Sequence, residues 1–198
     1  MSYERILKIH KPLFTHYDVA HALRIKLASA AVWCSRYVAK GLLTRVKRGF
    51  YVKTETLAQM GQTDLFQIAN ILQVPSYISL MTALSYYGIT TQLQRDFFES
   101  ISLKRSKAFK AGNITFRYMT IDPDLYKGFE KREGSFIALP EKAILDCFYF
   151  ASMGRYALDV SSLDLTKVDE QVLTRLSEMY PLSAIRFFER HYAKFRES

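Results

Sequence analysis

The chain has 198 residues, 49% of them apolar, and a formal net charge of +9. That length accommodates two small domains, or one with an appendage, and the composition is globular rather than disordered. No apolar run approaches the ~20 residues of a membrane span, residues 1–11 are too charged for a signal peptide, and Cys34 and Cys147 lack zinc-type spacing, so a reduced cytoplasmic protein with no cofactor and no membrane contact is expected.

In chain order, residues 3–10 read as a short helix with Ile6, Leu7 and Ile9 on one side, closed by Pro12. Thr15 stands three residues before Asp18, a weak capping box that predicts a second helix to about Leu23, burying Val19, Ala20 and Leu23. After a turn through residues 25–28, a third helix is expected from about Ser29 until Gly41 stops it. Residues 42–46 and 50–52 are β-prone and flank Lys47-Arg48-Gly49, a hairpin signal with a loop of about three residues. Three helices and a basic hairpin are the layout of a winged helix-turn-helix, which is the expectation for residues 1–54.

Residues 54–63, polar and containing Gly61, read as a linker into a mixed α/β domain over residues 55–198. Within it, residues 64–73 predict a helix, 77–79 a short strand, and Thr82, Ala83 and Leu84 lie in a following helix that ends at Gly88. Residues 97–103, 114–121 and 136–139 are β-rich, and Pro140 and Glu141 suit the start of a largely apolar helix. Two amphipathic helices are expected to close the chain. One starts near Thr166 with a stripe of Val168, Val172, Leu176 and Met179, and the other follows Pro181 with Ile185, Phe188, Tyr192 and Phe195. The fold class expected is α+β.

Charge is distributed very unevenly. Residues 1–54 hold eleven Lys and Arg against Glu4 and Asp18, whereas the remainder is balanced. A compact cationic surface favours approach to a polyanion, so double-stranded DNA is the expected partner; a solvated basic face is the bland alternative. The third helix is the candidate groove reader, since the second helix of a helix-turn-helix enters the major groove. Ser29, Ser35, Arg36 and Lys40 are expected to face bases and phosphates, while Val32 or Trp33, with Tyr37 and Val38, pack inward. Trp33 serves either as a core plug or as a base contact. Lys47 and Arg48 at the hairpin tip, flanked by Arg45 and Lys53, suit phosphate contact, and Tyr51 suits either phosphate or core. A second basic cluster, Lys104, Arg105, Lys107 and Lys110, is expected in a loop.

Three segments together resemble the AbiEi-type antitoxin and transcriptional regulator family of type IV toxin–antitoxin systems. They are residues 39–51 (AKGLLTRVKRGFY), 77–89 (YISLMTALSYYGI) and 139–146 (LPEKAILD), and the resemblance covers roughly residues 12–150. It implies a repressor whose winged helix binds inverted repeats in its own promoter. It also implies a C-terminal domain that counteracts a nucleotidyltransferase toxin without forming a stable complex with it. The signature positions it singles out are Ser79, Ala83, Leu84, Gly88, Pro140, Glu141, Lys142 and Asp146, all expected to be structural. Tyr87 departs from the pattern, standing where many relatives have histidine, and the last 50 residues match only in being helical. An orphan regulator without a toxin is the alternative within this class.

An enzyme is the competing class. Glu141, Lys142 and Asp146 are the best candidates for chemistry, but Glu141 and Lys142 are adjacent and lack the Glu-x-Lys spacing of nuclease sites. Asp146, on an apolar helix, must find a donor if buried, and Ser79 or Thr82 are candidate partners. His16 and His21 are five apart rather than four, so no helical metal pair is formed. Neither catalytic residues nor a metal site are expected.

Overall fold

The computed structural model describes residues 3–92 and 94–196, the last five of them by backbone alone. After α1 (Glu4–Leu7) and the two-residue strand β1 (Phe14–Thr15), Thr15 caps α2 (His16–Leu23). The Thr15 hydroxyl accepts from the Asp18 N–H at 3.4 Å and the Asp18 carboxylate accepts from the Thr15 N–H at 2.7 Å, a complete capping box. Arg24, left-handed at φ 55°, ends α2 and turns the chain into α3 (Leu27–Ala39), two residues ahead of the expected start. Gly41, at φ 72°, stops α3 as expected.

Strands β2 (Leu43–Lys47) and β3 (Phe50–Lys53) form the predicted hairpin, and β1 joins it to give the antiparallel order β1-β3-β2. The turn is Arg48-Gly49, tighter than expected, with a register shift between Arg45 and Lys47. Gly49 is required there: its φ is 80°, and a Cβ would lie 3.2 Å from the His16 ring. Successive side chains on β3 point to opposite faces, and both faces are covered. Phe14, Leu43 and Tyr51 pack with Ile6, Val19, Leu23, Ala30, Trp33 and Cys34. Leu13, Val46 and Val52 belong instead to the larger core that fills the rest of the molecule.

That second face corrects the linker expectation. Residues 54–63 contain a short helix, α4 (Thr54–Leu57), whose Leu57 is buried in the larger core, so the segment is packed rather than free. Helix α5 (Gln62–Leu72) then leads to β4 (Ser76–Ile78) and α6 (Leu80–Tyr86). Strands β5 (Phe97–Ser102), β6 (Lys107–Ala111), β7 (Ile114–Thr120), β8 (Phe129–Arg132) and β9 (Ser135–Ala138) complete a six-stranded sheet in the order β6-β7-β5-β4-β9-β8. Pairs β5–β7 and β4–β9 are parallel, and the others are antiparallel. β6 and β8 went unpredicted because they are the two edges of this sheet. Edge strands carry charge in place of an apolar alternation, and KAFKA and FEKR read as such.

Pro140 opens α7 (Pro140–Ser152), which is buried over most of its length. The next helix starts later than expected: Asp169, not Thr166, caps α8 (Glu170–Ser177), accepting from the N–H groups of Gln171 and Val172. Leu173 is its buried residue, while Val172, Leu176 and Met179 are half-buried. On α9 (Leu182–Arg196), Phe188 is buried against Phe148; the expected inward residues Tyr192 and Phe195 lie outside the described side chains. The fold is thus mixed α+β, with nine α-helices and two sheets among the described residues. No described helix is long and apolar enough to cross a membrane.

Candidate nucleic-acid interface

Helix α3 divides its side chains cleanly. Ala30, Trp33 and Cys34 face the smaller core, and Trp33 stacks on Tyr37 with ring centroids 3.7 Å apart. This settles the two uses of Trp33 in favour of the core, and places Val32, 53% exposed, on the outside. Tyr51, 6% exposed, is likewise a core residue. Ser29, Ser35, Arg36 and Lys40 are all exposed, so the outer face of α3 is open to solvent. The Ser35 hydroxyl donates to the Ala31 carbonyl at 3.1 Å, and the Lys40 ammonium lies 5.3 Å from the Tyr37 ring centre.

On the hairpin, Arg45 and Arg48 are exposed, whereas Lys53 donates to the Leu7 carbonyl at 3.2 Å. Lys47 corrects an expectation. Because the turn has only two residues, Lys47 belongs to β2, and its ammonium donates to the Leu72 carbonyl at 2.7 Å while lying 4.3 Å from the Phe50 ring centre. It ties the hairpin to the larger core rather than standing free at the tip. Burial lowers the pKa of this ammonium, and the nearby Lys104 and Lys107 lower it further. The second basic cluster, predicted as a loop, therefore lies beside the hairpin, with Lys107 and Lys110 on the edge strand β6 and only Lys104 and Arg105 in the preceding turn. Sequence separation hid that convergence.

The signature positions converge elsewhere. Ser79, Ala83 and Leu84 are buried, and Gly88, at φ 66°, accepts from Lys167 through its carbonyl at 2.7 Å. Pro140 occupies the first turn of α7, and the Glu141 carboxylate accepts from the Asp169 N–H at 3.0 Å. Lys142 and Asp146, one helical turn apart and both at 0% exposure, pair at 2.6 Å. Asp146 Oδ2 accepts from Ser79 at 2.7 Å and from Tyr77 at 3.1 Å, and Oδ1 accepts from Tyr180 at 2.7 Å. Lys142 also donates to the Tyr180 hydroxyl. Ser79 is thus a partner of Asp146, as anticipated; Thr82 is not, since its hydroxyl accepts from the Glu99 N–H at 2.9 Å.

A buried charge pair persists only where its remaining lone pairs and protons are satisfied, and Tyr77 and Tyr180 supply what the sequence did not reveal. Burial, reinforced by the Asp146 charge, pushes both phenols well above their usual range. Burial lowers the Lys142 ammonium, against the pull of Asp146. Glu99, also missed in the sequence, is 2% exposed and accepts from Tyr156 at 2.7 Å with Arg117 at 3.6 Å. Tyr87 donates to the Ala138 carbonyl at 3.0 Å, and burial pushes its hydroxyl up to about 12.

This arrangement ties β4, the N-cap of α6 and Tyr180, beyond α8, to α7. It offers no solvent-facing carboxylate or lysine at the three positions singled out for chemistry. Both cysteines are buried, with Cys34 pushed up to about 11, which suppresses thiolate formation. Among the described residues, no three of His, Cys, Asp and Glu gather closely enough to hold a metal ion. No protein-family model, curated protein or solved structure matches this chain.

Proposed function

We propose that residues 3–53 form a winged helix-turn-helix that binds duplex DNA, with α2 and α3 as the helix pair and β2–β3 as the wing, and that the protein represses transcription from its own promoter. The observation that carries this reading is the open outer face of α3, where Arg36 and Lys40 stand exposed and no described carboxylate forms an ion pair with them, beside a hairpin presenting Arg45 and Arg48. Like charges left uncompensated on one surface repel one another, and a polyphosphate relieves that repulsion. Lys104 and Lys107 add positive charge beside Lys47, where the hairpin meets the second sheet.

The antitoxin role rests on the resemblance of three segments, two of which meet at the Ser79–Asp146 hydrogen bond. The reading is a DNA-binding repressor that also counteracts a nucleotidyltransferase toxin, without a stable complex between them. Fluorescence anisotropy with a duplex carrying the promoter's inverted repeats, over a salt series, tests the first half. Binding should weaken steeply with salt, and each exposed cation removed should shallow the log–log slope by about 1. Salt-independent binding, or none, overturns it. Co-expression with a nucleotidyltransferase encoded in the adjacent reading frame tests the second half: growth should be restored by the full chain and not by residues 1–54 alone.

A further inference from the structure

The exposed face of α3 is not uniformly cationic. Ala28, Ser29, Val32 and Arg36 follow one another at helical spacing, so they share one face, and the middle of that face is apolar. Val32 is 53% exposed and Leu27 38%, although Ala30, Trp33 and Cys34 already provide the helix's inward stripe. With Ile25 and Trp33, those four side chains line a shallow open hollow. The Ser29 hydroxyl and the Arg36 guanidinium are its exposed polar groups. The Trp33 Nε1–H is buried without an acceptor.

We propose that this hollow receives the 5-methyl group of a thymine in the major groove, and that Val32 is the side chain that selects it. The inference rests on the DNA-binding reading above and sharpens it into a base preference. Thymine alone among the four bases presents a methyl group in that groove, next to an O4 acceptor. Val32 supplies the apolar contact and releases water from both surfaces, Ser29 can donate to O4, and Arg36, one turn on, reaches a neighbouring guanine edge.

The test uses the full chain. Duplexes are selected from a randomised pool, and each thymine of the selected sequence is then replaced by deoxyuridine, which removes the methyl group alone. At one thymine per bound α3, the replacement should weaken binding about fourfold, the worth of one buried methyl-sized group. The same replacement should cost nothing in Val32→Ser, which carries no methyl group and, at an exposed site, should leave the melting temperature unchanged. If no duplex binds, the DNA-binding reading and this inference fall together. If duplex binds without a selected thymine, or deoxyuridine is tolerated everywhere, or Val32→Ser keeps the full penalty, the inference falls and the DNA-binding reading stands.

Discussion

Arg36, Lys40, Arg45 and Arg48 stand in water with no ion pair among the described residues, whereas Lys142 and Asp146 sit at 0% exposure and hold each other at 2.6 Å. The first group keeps its hydration and costs folding little, so its charge is free to exchange small counterions for phosphates. The second has given up its hydration and is stable only while Tyr77, Ser79 and Tyr180 complete its hydrogen bonds. The same residue chemistry therefore has opposite consequences: substituting the exposed cations should change binding at constant stability, and substituting the buried pair should change stability. Lys47 lies between the two, half-buried on a backbone carbonyl, and its loss should do some of each.

The sharpest break of this contrast is Asp146→Ala, which strands Lys142 as a buried unpaired cation and orphans three hydroxyls. It should destabilise by about 3–5 kcal/mol in urea denaturation, and the double replacement Lys142→Met, Asp146→Leu should lose less than that single one. A parent-like midpoint for Asp146→Ala would remove the contrast. Next in size, Arg36→Ala should weaken specific duplex binding by about 1–3 kcal/mol and relax sequence preference, with an unchanged melting temperature. Arg48→Ala should weaken all sequences alike. Thr15→Ala, which removes the α2 cap, should cost about 1 kcal/mol of stability, measured by the same denaturation.

The smallest effect expected is a pH dependence at Glu99. Burial raises this carboxyl above its ordinary value, with Tyr156 and Arg117 opposing. A carboxyl raised on folding contributes fully below its unfolded value and loses that contribution as pH rises through its native value. Glu99→Gln removes the dependence and keeps a hydrogen-bond acceptor for Tyr156. Its stability relative to the parent should therefore increase from about pH 4 to about pH 7, as read from paired thermal melts; a constant difference would place the charged carboxylate comfortably in the fold.

Local signals were legible in the sequence wherever the physics is local. The Thr15–Asp18 capping box needs four consecutive residues, Gly41 and Gly49 need only a positive φ, and Pro140 needs only a helix start. The excess of cations before residue 55 is a property of composition, as is the inward stripe that leaves Arg36 and Lys40 outside. The edge strands β6 and β8 escaped because an edge needs no apolar alternation, and the packed segment around Leu57 was mistaken for a linker because Leu57, Ala58 and Met60 are too few and too close to show a period.

Tertiary structure alone decided which polar side chains meet. Asp146 could be recognised as needing donors, but that Tyr77 and Tyr180 would join Ser79, from segments 69 and 34 residues away, depends on how β4 and the α8–α9 turn close over α7. Likewise Lys104 and Lys107 come beside Lys47 only because β2 packs on β6, a contact that no spacing along the chain encodes. Caps, turns and charge balance follow from neighbours in sequence, whereas buried hydrogen bonds and composite surfaces follow from which faces the cores bring together.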